Sequence, residues 1–96
     1  MKVAVITPYY KEDHATLERC MRSVESQTHP YVNHFMVADG HPQSWIDELP
    51  SVKFGKHRHF SIPNCGDYGD TPRAIGSAIA INQGFDAVCF LDADCW

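Results

Sequence analysis

Three short apolar runs constrain this chain more than any other feature. They are Lys2 to Thr7 (KVAVIT), Asn33 to Ala38 (NHFMVA) and Asp86 to Leu91 (DAVCFL). None alternates strictly between apolar and polar residues, so none reads as a strand with one face in water. Strands covered on both faces look like this, and they belong to parallel sheets packed between helices.

The segments between the runs have helical period. Asp13 is expected to cap a helix running to about Gln27, with Leu17, Cys20, Met21 and Val24 on one face. Thr28-His29-Pro30 would end it. A short helix is expected from Gln43 to Leu49, with Trp45, Ile46 and Leu49 as its apolar contacts and Pro50 as its stop. One strand is expected between Lys56 and Ile62, near a sheet edge where Lys56-His57-Arg58-His59 is tolerated. Pro63 to Asp70 reads as a loop. Thr71 would cap the next helix, Pro72 would fit its first turn, and Ile75, Ala78, Ile79 and Asn82 would form its inner stripe. Gly84 stands where a C-terminal cap glycine belongs. Strands alternating with helices predict an α/β, Rossmann-like fold: a mostly parallel sheet, helices on both faces, and right-handed crossovers.

In an open sheet of this kind, ligand groups gather beyond the carboxyl ends of the strands. Here those positions hold Thr7 to Tyr10, Asp39-Gly40 and Asp92-Ala93-Asp94. Two convergent carboxylates repel unless a cation or proton lies between them. With phosphate oxygens, Asp92 and Asp94 would make a hard-oxygen site suited to Mg²⁺ or Mn²⁺. The ion would bridge to a diphosphate and stabilise it as a leaving group. A solvated acidic turn explains the same pair without a ligand. Asp39 reads either as a turn former or as an acceptor for a base or ribose. Tyr9 and Tyr10 read as stacking faces for a planar base or as packed loop aromatics. Arg73 sits in a first helical turn, against the helix dipole, so it is either a surface arginine or a contact for an anion, base or carboxylate.

Composition narrows the choice. The 96 residues allow one domain, and the net charge of −4 with no Lys/Arg block argues against a nucleic-acid partner. Neither GxGxxG nor GxxxxGK[ST] is present, which disfavours dinucleotide and P-loop sites. The four cysteines and six histidines lack structural zinc spacing, and Cys89 reads as a buried thiol. With no signal peptide and no membrane-spanning run, the expected location is cytoplasmic, or membrane-peripheral within a longer parent chain.

Several motifs, in order, resemble family 2 glycosyltransferases of the GT-A fold. They are Val5-Ile6-Thr7-Pro8-Tyr9-Tyr10-Lys11-Glu12, Leu17-Glu18-Arg19-Cys20, Ser23-Val24, Ser26-Gln27-Thr28-His29-Pro30, Met36-Val37-Ala38-Asp39-Gly40, Arg73-Ala74-Ile75-Gly76 and Phe90-Leu91-Asp92-Ala93-Asp94-Cys95-Trp96. Lys11, Ala38, Pro72 and Cys95 depart from the family's usual residues.

The resemblance implies a sugar transfer from a nucleotide-diphosphate donor to a glycan or other hydroxyl acceptor, assisted by Mn²⁺ or Mg²⁺. Pro8, Tyr9 and Glu12 would line the nucleotide pocket. Asp39 would bind the base, usually uracil, which points to a UDP-linked donor. Arg73 would sit beside the base or diphosphate, Asp92 would meet the ribose or metal, and Asp94 would bind the metal. Residues 1–96 would then be the nucleotide-sugar-binding half of a GT-A domain, ending after the acidic cluster and lacking the base that activates the acceptor. Such a chain alone would bind but transfer little, and its exposed last strand would promote self-association. The alternative is a small non-catalytic nucleotide-binding α/β module or a degenerate paralogue. A nucleotidyltransferase would carry a glycine-rich basic loop where Tyr9-Tyr10-Lys11-Glu12 stands.

Overall fold

The computed structural model describes residues 2–25, 32–53, 57–63 and 70–93. The strands are β1 (Val3–Tyr9), β2 (Val32–Asp39), β3 (His57–Ile62) and β4 (Ala87–Phe90). The helices are α1 (His14–Glu25), α2 (Pro50–Lys53) and α3 (Asp70–Asn82), with a 3₁₀ turn at Ser44–Glu48. All strand pairings are parallel and the order across the sheet is β3-β2-β1-β4. The fold is therefore α/β and Rossmann-like, as the apolar runs predict, and among the described residues the strand rich in basic residues lies at an edge.

Each face of the sheet has its own core. On one side Tyr9, Met36 and Ala38 pack with Leu17 and Met21 of α1 and with Ile46 of the 3₁₀ turn. On the other, Ala4, Ile6, Phe35 and Val37 pack with Ala80 of α3 and with Phe85. Strand residues alternate between the two cores, which is why both parities are apolar. Burying each such Leu, Ile, Phe or Met side chain contributes roughly 1.5–3 kcal/mol. At the β3 edge Arg58 lies over the rings of Phe35 and Phe85, so its stem covers apolar surface while its charge gains cation–π contact.

α1 begins as expected. The Asp13 carboxylate accepts the Thr16 N–H at 2.8 Å, and Leu17, Cys20, Met21 and Val24 are all buried. The expected end of this helix, from Gln27 to Pro30, lies outside the described residues, as do Lys56 and residues 64–69 of the expected loop.

Four expectations need correction. Pro50 does not stop a helix; it begins α2, where its missing N–H costs nothing, while Leu49 accepts the first amides. α3 begins at Asp70, so Thr71 lies inside the first turn and does not cap it. The inner stripe of α3 runs through Pro72, Gly76, Ile79 and Ala80, whereas Ala78 and Asn82 are exposed. The small stripe wins because it lets the helix lie close on the sheet: a Cβ on Gly76 would come within 2.7 Å of Ile6 Cγ2 and 3.3 Å of Val37 Cγ2. Finally, Cys89 is exposed. β4 is the outermost strand among the described residues, and Phe90 is also 53% exposed.

Gly84 does cap α3. Its φ is +89°, its N–H donates to the Ile81 carbonyl, and the Phe85 N–H reaches back to the Ala80 carbonyl. This is the Schellman arrangement, completed by apolar contact between Phe85 and Ala80 in one core.

Candidate functional site

The strand order creates a topological switch point. From β1 the chain winds through β2 to β3, then α3 carries it back across the sheet to β4 on the other side of β1. The carboxyl ends of β4, β1 and β2 therefore lie side by side, and a crevice opens where the winding reverses. Thr7 to Tyr10, Asp39 and Asp92 all lie at this one end of the sheet.

α3 closes the crevice from one face. Gly76 rests on Ile6 and Val37. Pro8 and Asp39 are the next residues on that face towards the strand tips, and Arg73 lies one turn nearer the start of the helix. The Arg73 guanidinium donates to Asp92 Oδ1 at 2.8 Å, tying α3 to the segment after β4. This ion pair is only partly buried, with the Arg73 side chain 29% and the Asp92 side chain 61% exposed, so both groups reach solvent. The contact accounts for a cation in the first helical turn.

Asp39 ends β2 and is 5% exposed. Gly40 follows with φ +86°, and its N–H donates to the Ile62 carbonyl at 2.8 Å, which holds the turn against β3. Pro8 is buried in β1. Glu12 organises the loop after β1: its carboxylate accepts the Tyr10 N–H at 2.6 Å and its carbonyl accepts the Gln43 side-chain amide at 2.7 Å.

The two tyrosines divide. Tyr9 is 2% exposed and belongs to the α1-side core, so its ring has no free face for stacking a base. Its hydroxyl donates to His59 Nε2 at 2.5 Å and accepts the Gln43 N–H at 3.1 Å, and His59 Nδ1 donates to Asp47 at 3.0 Å. Burial pushes the Tyr9 phenol above its usual range, outweighing the Gln43 hydrogen bond. Tyr10, by contrast, is 41% exposed, with His41 edge-on to its ring and the Lys11 ammonium 5.2 Å from the ring centre. The stacking face expected of this pair is available at Tyr10.

His59, Asp47 and Gln43 were not legible as partners of the strand tip. They lie far from Tyr9 in sequence and have no motif spacing. His57 and His59 do share one face of β3, but each turns to different partners.

Asp94 lies outside the described residues. Among the described residues no cluster of three or more His, Cys, Asp or Glu side chains is placed to hold a metal ion, and no helix is long and apolar enough to cross a membrane. Compared with protein-family models and with curated proteins, the chain matches none.

Proposed function

We propose that the crevice binds the nucleotide of a nucleotide-diphosphate sugar, as the donor side of a family 2-like glycosyltransferase that delivers the sugar to a hydroxyl acceptor. The observation that carries this reading is the Arg73–Asp92 pair at the switch point, at the same end of the sheet as the buried Asp39. A cation and a carboxylate at one crevice mouth suit a diphosphate and the hydroxyls of a ribose. Asp39 would accept hydrogen bonds from a base, and Tyr10, 41% exposed, would offer its ring. The resemblance to family 2 glycosyltransferases implies uracil as the base, so UDP is the first ligand to test.

A divalent cation fits this arrangement in part. Mg²⁺ is commonly held by one or two carboxylates together with substrate phosphates. Asp92 supplies one exposed carboxylate, and Arg73 competes for it. When bound, the ion would neutralise the diphosphate; Arg73 would orient the phosphates and Asp39 the base.

Calorimetric titration with UDP, GDP and their sugar conjugates, each with Mn²⁺, Mg²⁺ or EDTA, tests the reading. UDP is expected to bind best, more tightly than uridine, and Asp92→Asn is expected to weaken both, UDP more than uridine, because the carboxylate serves the ribose as well as the cation. Failure of every nucleoside diphosphate to bind at millimolar concentration with either metal would overturn it.

A further inference from the structure

A line of polar groups crosses the sheet face beneath α1, where the neighbours are apolar. Glu25 Oε1 lies 3.0 Å from His57 Nε2, His57 Nδ1 lies 2.9 Å from His34 Nδ1, and His34 Nε2 lies 2.7 Å from Thr7 Oγ1. Thr7 Oγ1 in turn lies 3.8 Å from Cys20 Sγ. His34, His57, Thr7 and Cys20 are buried, and Glu25 alone reaches solvent. α1 supplies the two ends of the line, and β1, β2 and β3 supply the middle.

The protons in this line can be counted. A carboxylate only accepts, so His57 Nε2 carries a hydrogen. A neutral imidazole has one donor and one acceptor, so His57 Nδ1 is bare and accepts from His34 Nδ1–H. His34 Nε2 is then bare and accepts the Thr7 hydroxyl hydrogen. One added proton is accommodated by reversing the line. His57 becomes an imidazolium beside Glu25 and donates through Nδ1 to His34 Nδ1, and the His34 hydrogen stands on Nε2, donating to Thr7. A second proton has no place. It would set two N–H groups against each other at 2.9 Å, on two charged rings whose centres are 4.9 Å apart in a buried site.

We propose that His34 and His57 form a one-proton acid switch: the folded chain takes up a single proton on the pair, and the demand for a second releases α1 and β3 from β2. The other titratable groups at this face, among the described residues, are Cys20 and Glu25 of α1, Tyr9 of β1, and His59 of β3 with its partner Asp47. The unfolded chain protonates both imidazoles below about pH 6.5. It then binds one proton more than the folded chain, so stability rises with pH and falls in acid. The folding equilibrium constant should drop about tenfold per pH unit below that point on account of this pair. The switch does not depend on nucleotide binding.

Urea denaturation between pH 5 and 8 tests it against His57→Gln, which leaves one imidazole and removes the forbidden state. The wild type should lose stability more steeply in acid than the variant, by about tenfold per pH unit. Equal slopes would overturn the proposal. Histidine ¹⁵N NMR on the wild-type chain decides the matter even if the variant does not fold. At pH 8, His57 should carry its hydrogen on Nε2 and His34 on Nδ1, and on acidification only one of the two rings should charge while the fold persists. Two imidazolium rings in the folded chain would also overturn the proposal.

Discussion

Adjacent residues at the tip of β1 face opposite fates, and the difference is testable residue by residue. The Tyr9 hydroxyl joins His59 to the backbone at Gln43, so Tyr9→Phe leaves two polar groups short of a partner. A loss of about 1–3 kcal/mol is expected from chemical denaturation. Because burial raises the Tyr9 phenol, its contribution is complete below about pH 10 and is lost as pH rises through the folded-state value. Tyr9→Phe should therefore also reduce the alkaline loss of stability. Tyr10→Ala should leave stability within about 0.5 kcal/mol, as surface changes do, and weaken UDP binding instead. An equal effect of both substitutions on UDP affinity would contradict a core role for Tyr9.

At the scale of the element, α3 depends on two glycines for different reasons. At Gly76 the constraint is space. A methyl group would press on Ile6 and Val37, both β-branched and buried, and β-branched side chains have little χ1 freedom to yield. Gly76→Ala should cost about 1–3 kcal/mol and shift the start of the helix, including Arg73. At Gly84 there is open space but a left-handed backbone, so Gly84→Ala should cost about 1–2 kcal/mol and leave the crevice unchanged. Thermal denaturation with UDP titration separates the two. α1 depends on its cap. Hydrogen bonds from Thr16 hold the Asp13 carboxyl below its usual range. That contribution is present above the unfolded-state value and is lost as pH falls through the folded-state value. Asp13→Asn should keep the cap and remove this acid dependence, whereas Asp13→Ala should lower the melting temperature at neutral pH.

For the molecule as a whole, the parallel order β3-β2-β1-β4 brings the tips of three strands together and also leaves β4 outermost among the described residues. Cys89 and Phe90 are exposed there. A strand edge with apolar side chains favours pairing with a second copy. Sedimentation velocity should show concentration-dependent association that Phe90→Lys suppresses, and a clean monomer at high concentration would contradict it.

Much of this architecture was legible in the chain itself. Apolar runs without alternation meant buried parallel strands, Asp13 meant a helix start, and Gly84 meant a helix end, because each depends on backbone geometry and nearest neighbours. The gathering of Asp39, Asp92 and the β1 tip at one end of the sheet also followed from topology alone. What sequence could not decide depended on contacts between distant segments. Cys89 had the pattern of a buried residue, yet whether a strand is covered depends on what packs beside it. The inner stripe of α3 follows its small residues because close approach to Ile6 and Val37 outweighs side-chain size. Tyr9 and Tyr10 are alike in type and adjacent in position; strand alternation sends one ring into the core, where His59 and Gln43 secure it, and leaves the other at the crevice. The local chemistry of each residue was written in the sequence, but its partners were set only when the sheet brought remote strands within hydrogen-bonding distance.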